Sequence, residues 1–327
     1  MQQSALSQVN WVQPYWGLVV AASLFGLALV GCDSPEGGEF GADSADGKLA
    51  VVATSTILAD WAAEVGGHQI ELTSILQPGA DPHLYEPVPA DSGAFERADL
   101  ILYNGYNLEP NLIRLLNAAG VNAQRVAVGE VVPPLDSQEA GSSAPDPHVW
   151  GDVRNSVPMV EAIRDEMIEL APEHEALFIQ NASAYIEELN QLHSWIEQQT
   201  ATIPPDQRQL ITTHDAFQYY ANAYGLTVAG TLIGLSTEEQ PSARTVQQLV
   251  ESIKALGVPA IFAETTINPS LMTTVAAEAG VVLADAKLYS DSLDAVGSDG
   301  DTYIKMMVAN TKAITENLGG AVTDFSE

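Results

Sequence analysis

Short unbroken apolar runs alternate along this chain with longer stretches whose apolar residues return every three or four positions. The first run, residues 49–54 (Leu-Ala-Val-Val-Ala-Thr), has the character of a strand buried on both faces, as in parallel sheets. A helical pattern over 57–65 ends at Gly66-Gly67, and 70–75 forms the next strand. A helix over 90–97, a strand at 100–103, a helix reaching about 118 and a strand near Val126 continue the alternation. The second half repeats it with strand 210–213, helix 216–223, strand 226–232, a helix opened by Pro241 and running to Leu256, and strand 260–263. Helix 270–279, strand 281–284 and a last helix over 302–318 complete it. Such alternation predicts an α/β protein of parallel sheets covered by helices.

Between the halves the pattern is helical from 156 to about 200. Residues 176–199 contain neither Pro nor Gly, and Phe178, Ala182, Tyr185, Leu189, Leu192 and Ile196 lie on one face. Those two dozen residues would span roughly 36 Å, and Pro204-Pro205 stops them. The chain therefore divides into a first lobe at 48–173, a long linking helix at 174–203 and a second lobe at 204–327, each lobe a parallel sheet covered by helices.

Composition changes this picture at the surface. Among 327 residues, 43 are acidic and 12 basic, a formal net charge of −31, while apolar content is an ordinary 46%. Such a surface repels nucleic acid and anionic lipid, and neither is expected as a partner. The N-terminus carries an uncharged apolar segment from Trp16 to Val30, short for a membrane span, ending Leu29-Val30-Gly31-Cys32. This reads as a signal segment over 1–31 followed by a flexible tether over 32–47. Its ending resembles a bacterial lipobox, which implies cleavage before Cys32 and lipidation of that residue. The usual positive charge is missing, since Met1 to Gly17 contains no Lys or Arg, and a membrane-spanning anchor is the alternative. Cys32 is the only cysteine, so the mature chain has neither disulfides nor thiolate ligands.

Candidate chemistry lies in the histidines. The triplet Asp81-Pro82-His83 returns as Asp146-Pro147-His148, in a chain with six histidines. Proline stiffens each loop and presents the imidazole, a common ligand for transition metals. Either histidine alone is an ordinary loop residue; the matched pair is half a metal site. In an open α/β sheet ligands gather beyond the carboxyl ends of strands. There the second lobe offers His214, ending strand 210–213, and the carboxylates Glu264, Asp285, Asp291 and Asp294, among which spacing does not choose. His68 lies at the wrong end of a strand, and His174 and His193 fall on the helical stretch among polar neighbours.

The stretches Pro78-Gly79-Ala80-Asp81-Pro82-His83-Leu84-Tyr85-Glu86-Pro87, Asp146-Pro147-His148-Val149-Trp150, Thr213-His214-Asp215-Ala216-Phe217 and Tyr289-Ser290-Asp291-Ser292 come in a characteristic order, and Gly234-Leu235-Ser236-Thr237-Glu238 also fits. Together they resemble the zinc, manganese and iron solute-binding proteins of bacterial ABC transporters, over roughly 48–318. The resemblance implies two lobes bridged by a rigid helix with the metal buried between them. It also implies ligands His83 and His148 from the first lobe and His214 and Asp291 from the second.

Three imidazoles and one carboxylate suit tetrahedral zinc, and a bidentate Asp291 would admit manganese. The loop before His148 lacks the histidine-rich insert of many zinc receptors. Zinc or manganese is thus expected as transported ligand, with a membrane permease and its ATPase as partners. The receptor is expected as a monomeric lipoprotein of the cell envelope, facing the periplasm or cell exterior, and not as an enzyme. The rival reading is a secreted zinc hydrolase with an open metal position and Glu264 as base.

Overall fold

The computed structural model describes residues 47–118, 122–135 and 144–326. The signal segment, Cys32, nearly all of the tether and residues 136–143 of the loop before His148 lie outside the described residues. The first sheet contains β1 (Leu49–Ala53), β2 (Ile70–Ser74), β3 (Leu100–Tyr103) and β4 (Gln124–Ala127) in the order β2-β1-β3-β4, all parallel. Helices α1 (Thr56–Gly66), α2 (Pro89–Arg97) and α3 (Pro110–Ala118) connect these strands. Then follow α4 (Val153–Leu170) and α5 (Glu175–Ala201).

The second half is built on two parallel pairs. The first is β5 (Gln209–His214) with β6 (Thr227–Ile233), and the other is β7 (Ala260–Ile261) with β8 (Val282–Leu283). The Phe262 N–H donates to the Ile211 carbonyl at 2.9 Å and joins them. Strands 260–263 and 281–284 were expected to be longer. They are short because pairing changes partner within a few residues: Phe262 turns to β5, while the Ala263 carbonyl accepts from Leu288 N–H at 2.9 Å. Helices α6 (Gln218–Tyr224), α7 (Ala243–Leu256), α8 (Ser270–Ala279) and α9 (Tyr303–Asn317) cover these strands. Helix α6 starts two residues later than expected, since Ala216 N–H bonds back to His214 C=O and Phe217 takes the N-cap position. The α7 cap is Ser242, whose hydroxyl accepts from Thr245 N–H at 3.1 Å, rather than a start at Pro241.

Strand alternation sorts side chains into three cores. In β1 and β3, Val51, Ala53, Leu100 and Leu102 face a central core, whereas Val52 and Ile101 face an outer one with Phe95 and Leu112. In the second half Leu210 and Phe262 face the central core, and Ile211, Ile261 and Ala263 face a separate one under α7 and α8. The central core is therefore common to both sheets. Its axis is α5, 27 residues long and about 40 Å, packed on α1 and α4 and also on α6 and α9. Helix α9 crosses back: Tyr303 N–H donates to Asp60 of α1 at 2.9 Å, and its ring stands edge-on to Trp61 at 5.1 Å. Among the described residues no helix is long and apolar enough to cross a membrane.

Because Leu189 of α5 is fully buried in that shared core, Leu189→Ala should cost about 2–5 kcal/mol. Chemical denaturation should show one shifted transition. Two separated transitions would mean that the two sheets have independent cores.

Candidate metal centre

Parallel strands place their carboxyl ends on one edge, and the loops leaving those edges meet. His83 lies in the loop after β2, His148 in the loop after β4, His214 at the last position of β5, and Asp291 in the loop after β8. Both Asp-Pro-His triplets use one device: the aspartate Oδ1 accepts the N–H of the histidine two residues on, at 2.9 Å for Asp81 and 3.0 Å for Asp146. Such an aspartate turn, with proline fixing φ between, aims the imidazole away from its own loop.

The structure brings all four side chains together, with donor atoms within 4.8 Å of one another. Nε2 of His83 lies 3.3 Å from Nε2 of His148. Nε2 of His148 lies 3.4 Å from Oδ1 of Asp291, and Nε2 of His214 lies 3.3 Å from Oδ2. A tetrahedral ion with bonds of about 2.0–2.1 Å needs donor–donor edges of about 3.3–3.4 Å. The match is close. Both oxygens of Asp291 face the centre, so four residues offer five donor atoms. None of the four is more than 2% exposed. His214 Nε2 and Asp291 Oδ1 are buried without a hydrogen-bond partner, atoms that a bound cation would satisfy.

Two of the rings are oriented by carboxylates from behind. Asp146 Oδ1 also meets Nδ1 of His148 at 2.8 Å. Glu264 holds His214 twice, through its Oε2 on Nδ1 and its Oε1 accepting the backbone N–H at 2.9 Å. A proton on Nδ1 leaves the Nε2 lone pair facing inward, the tautomer a metal needs. Trp150 joins two of the loops, its indole N–H donating to Ser290 C=O at 3.0 Å.

The electrostatics divide the histidines. Burial pulls His83 down to about 3, against the attraction of Asp291, so that ring is neutral. Burial also pulls at His214, but the Glu264 and Asp291 carboxylates more than reverse it and hold the ring well above its ordinary range. Burial would raise Asp291, yet the three histidines, His214 foremost, hold it below the usual carboxylate range.

The other candidates lie elsewhere. Asp285 is exposed, and Asp294 is partly exposed and accepts from Ala295 N–H. His68 is exposed beside Gln69, His174 packs edge-on to Phe178, and His193 meets Tyr224 and Glu197. Glu264 was read as a candidate base; instead it is fully buried behind His214. Sequence reasoning missed the ring-orienting carboxylates Asp146 and Glu264. The aspartate repeated in both triplets was the signal for Asp146; nothing in spacing tied Glu264 to His214.

A dry cage of nitrogen and oxygen donors where the loops of two α/β sheets meet defines a two-lobe metal-binding protein. A sequence profile of the family described as zinc-uptake complex component A, periplasmic (ZnuA) matches residues 51–317. The manganese-binding lipoprotein MntA of Halalkalibacterium halodurans is 36% identical over 294 residues, covering 89% of this chain and 95% of that protein. The periplasmic zinc-binding protein TroA of Treponema pallidum superposes with a TM-score of 0.79 at 33% identity, covering 83% of this chain and 99% of that one. Fe(III)-bound YtgA of Chlamydia trachomatis gives 0.77 at 28% identity, covering 85% of this chain and 100% of that one. The chain belongs to the ZnuA family.

A cation at this centre must displace the His214 proton, so zinc affinity should rise with pH through and above about 6.5, the ordinary imidazole value. In the metal-free protein the sign is opposite. The charged His214 contributes stability that is full below about 6.5 and lost as pH rises through its elevated value. Glu264→Gln removes the strongest influence holding that proton. It should weaken zinc roughly ten- to hundredfold and flatten the pH dependence, as read by titrations across a pH series. An unchanged slope would separate Glu264 from the proton.

Proposed function

We propose that the protein is the extracytoplasmic receptor of an ABC transporter, capturing a divalent transition metal and passing it to a membrane permease driven by its ATPase. His83, His148, His214 and Asp291 are the ligands. The observation that carries this reading is the set of buried donor atoms from four residues, all within 4.8 Å of one another. The manganese and zinc named for MntA and TroA support zinc or manganese as cargo here. Residues 48–173 and 204–327 form the two lobes and 174–203, with α5 at its heart, the rigid link between them. Cys32 carries the lipid and 32–47 tethers a monomer to the envelope, in keeping with the lipoprotein nature of its relatives.

The protein binds and releases, and does not catalyse. A zinc hydrolase needs an open metal position and a base beside it, whereas Glu264 here is spent on the backbone N–H and the Nδ1 of His214.

Purified protein starting near residue 33 should bind one zinc or manganese ion, and His83→Ala and His148→Ala should each abolish tight binding. A titration without tight binding would overturn the receptor reading. Replacing His214 tests the metal choice. His214→Glu exchanges a borderline nitrogen for a hard oxygen and should narrow the preference for zinc over manganese. His214→Ala should weaken both ions. Competition titrations that leave the ratio unchanged in the Glu variant would remove His214 from the site.

A further inference from the structure

The walls of the cage are not equal. A cleft of about 500 Å³ reaches His83, lined by Tyr103, Tyr106 and Pro147 on one side and by Leu235 and Ser236 on the other. Leu235 and Ser236 belong to the irregular segment that follows β6. Residues 234–236 of that segment are half-buried and 238–240 exposed, yet Thr237 between them is only 4% exposed. Its hydroxyl donates to Asp81 Oδ2 at 2.6 Å, while Asp81 Oδ1 accepts the His83 N–H. One carboxylate thus ties the segment after β6 to the backbone of a ligand histidine on the other sheet. The other hydrogen bonds of 234–239 among the described residues stay on the second sheet: Asp215 N–H to Gly234 C=O, Glu239 N–H to Ser236 C=O, and Glu238 N–H to the Ser236 hydroxyl.

Resting on the receptor reading, we infer that the Thr237–Asp81 bond is the clasp that closes the His83 side of the cage and sets how fast the ion leaves. Thr237 touches no donor atom in this arrangement; it is a positioning residue, acting through Asp81 and the lie of residues 234–237. A short bond to a carboxylate in a partly buried setting is among the stronger hydrogen bonds a side chain makes. Its loss should show in release rather than capture, because the bond holds shut the wall that a seated ion must pass to leave.

The test is zinc release into excess chromogenic chelator, followed by stopped flow, for the parent, Thr237→Val and Thr237→Ser. Valine keeps the shape and loses the hydroxyl; serine keeps the hydroxyl and loses a methyl. Release should quicken roughly tenfold in the valine variant, with the association rate nearly unchanged, and return toward the parent rate in the serine variant. Parent-like release from Thr237→Val, or equally fast release from both variants, would overturn the clasp while leaving the receptor intact. A parent protein that takes up no zinc would overturn the receptor reading, and the clasp with it.

Discussion

Three imidazole nitrogens and a carboxylate must be kept a few ångströms apart where water is excluded, and the rest of the structure serves that arrangement. Lone pairs turned toward one another in a dry pocket repel and lack partners, which is costly unless a cation fills the space between them. The carboxylates that meet the ring nitrogens of the ligand histidines, Asp146, Glu264 and Asp291, pair with histidines and, among the described residues, with no Lys or Arg. Their charge is answered either by protons on imidazole or by a metal. The formal net charge of −31 is a separate matter, since most of the described acidic residues are exposed and exposed charges are screened within about 8–10 Å at ordinary salt.

Holding such an arrangement to a few tenths of an ångström needs a stiff frame. That frame is the core common to both sheets, with α5 as its axis and Leu189, Leu192 and Ile196 fully buried along it. Close-packed interiors transmit position, so histidines from loops sixty-five residues apart arrive at one point. The aspartate turns complete the work locally by aiming each ring.

Much of this was legible in the chain. Continuous runs such as 49–54 read as buried strands because both faces of a parallel sheet are covered. The two Asp-Pro-His triplets read as presented histidines because proline leaves little conformational choice. What was not legible lies across space. Nothing within 260–264 says that Glu264 stands behind His214, since that pairing depends on how β7 joins β5. Asp291 could not be told from Asp285 and Asp294 by spacing alone; only the course of the loop after β8 turns Asp291 inward. Thr237 and Asp81, 156 residues apart, lie beyond any local pattern. Strand lengths at 260–263 were misjudged because hydropathy marks burial, not which neighbour a backbone N–H chooses.

One feature of the Asp291 loop redraws where the cage divides. The loop leaves β8, a strand of the second sheet, and Leu288 and Tyr289 stay bonded to Ala263 and Asn310 of that half, yet the residues next to Asp291 are moored on the first. Leu293 N–H donates to the Thr56 hydroxyl at 2.8 Å, and Ser292 and Leu293 both accept from Gly79 N–H at 2.9 Å. Beyond the loop, Tyr303 is pinned to Asp60 and to the Trp150 carbonyl. His214 has a different anchorage, in β5 and Glu264. The seam through the donor set therefore runs three against one, with His83, His148 and Asp291 on one bank and His214 alone on the other. A widening of that seam would strip the ion of a single nitrogen and leave it seated on a three-residue face, open to water on the fourth side.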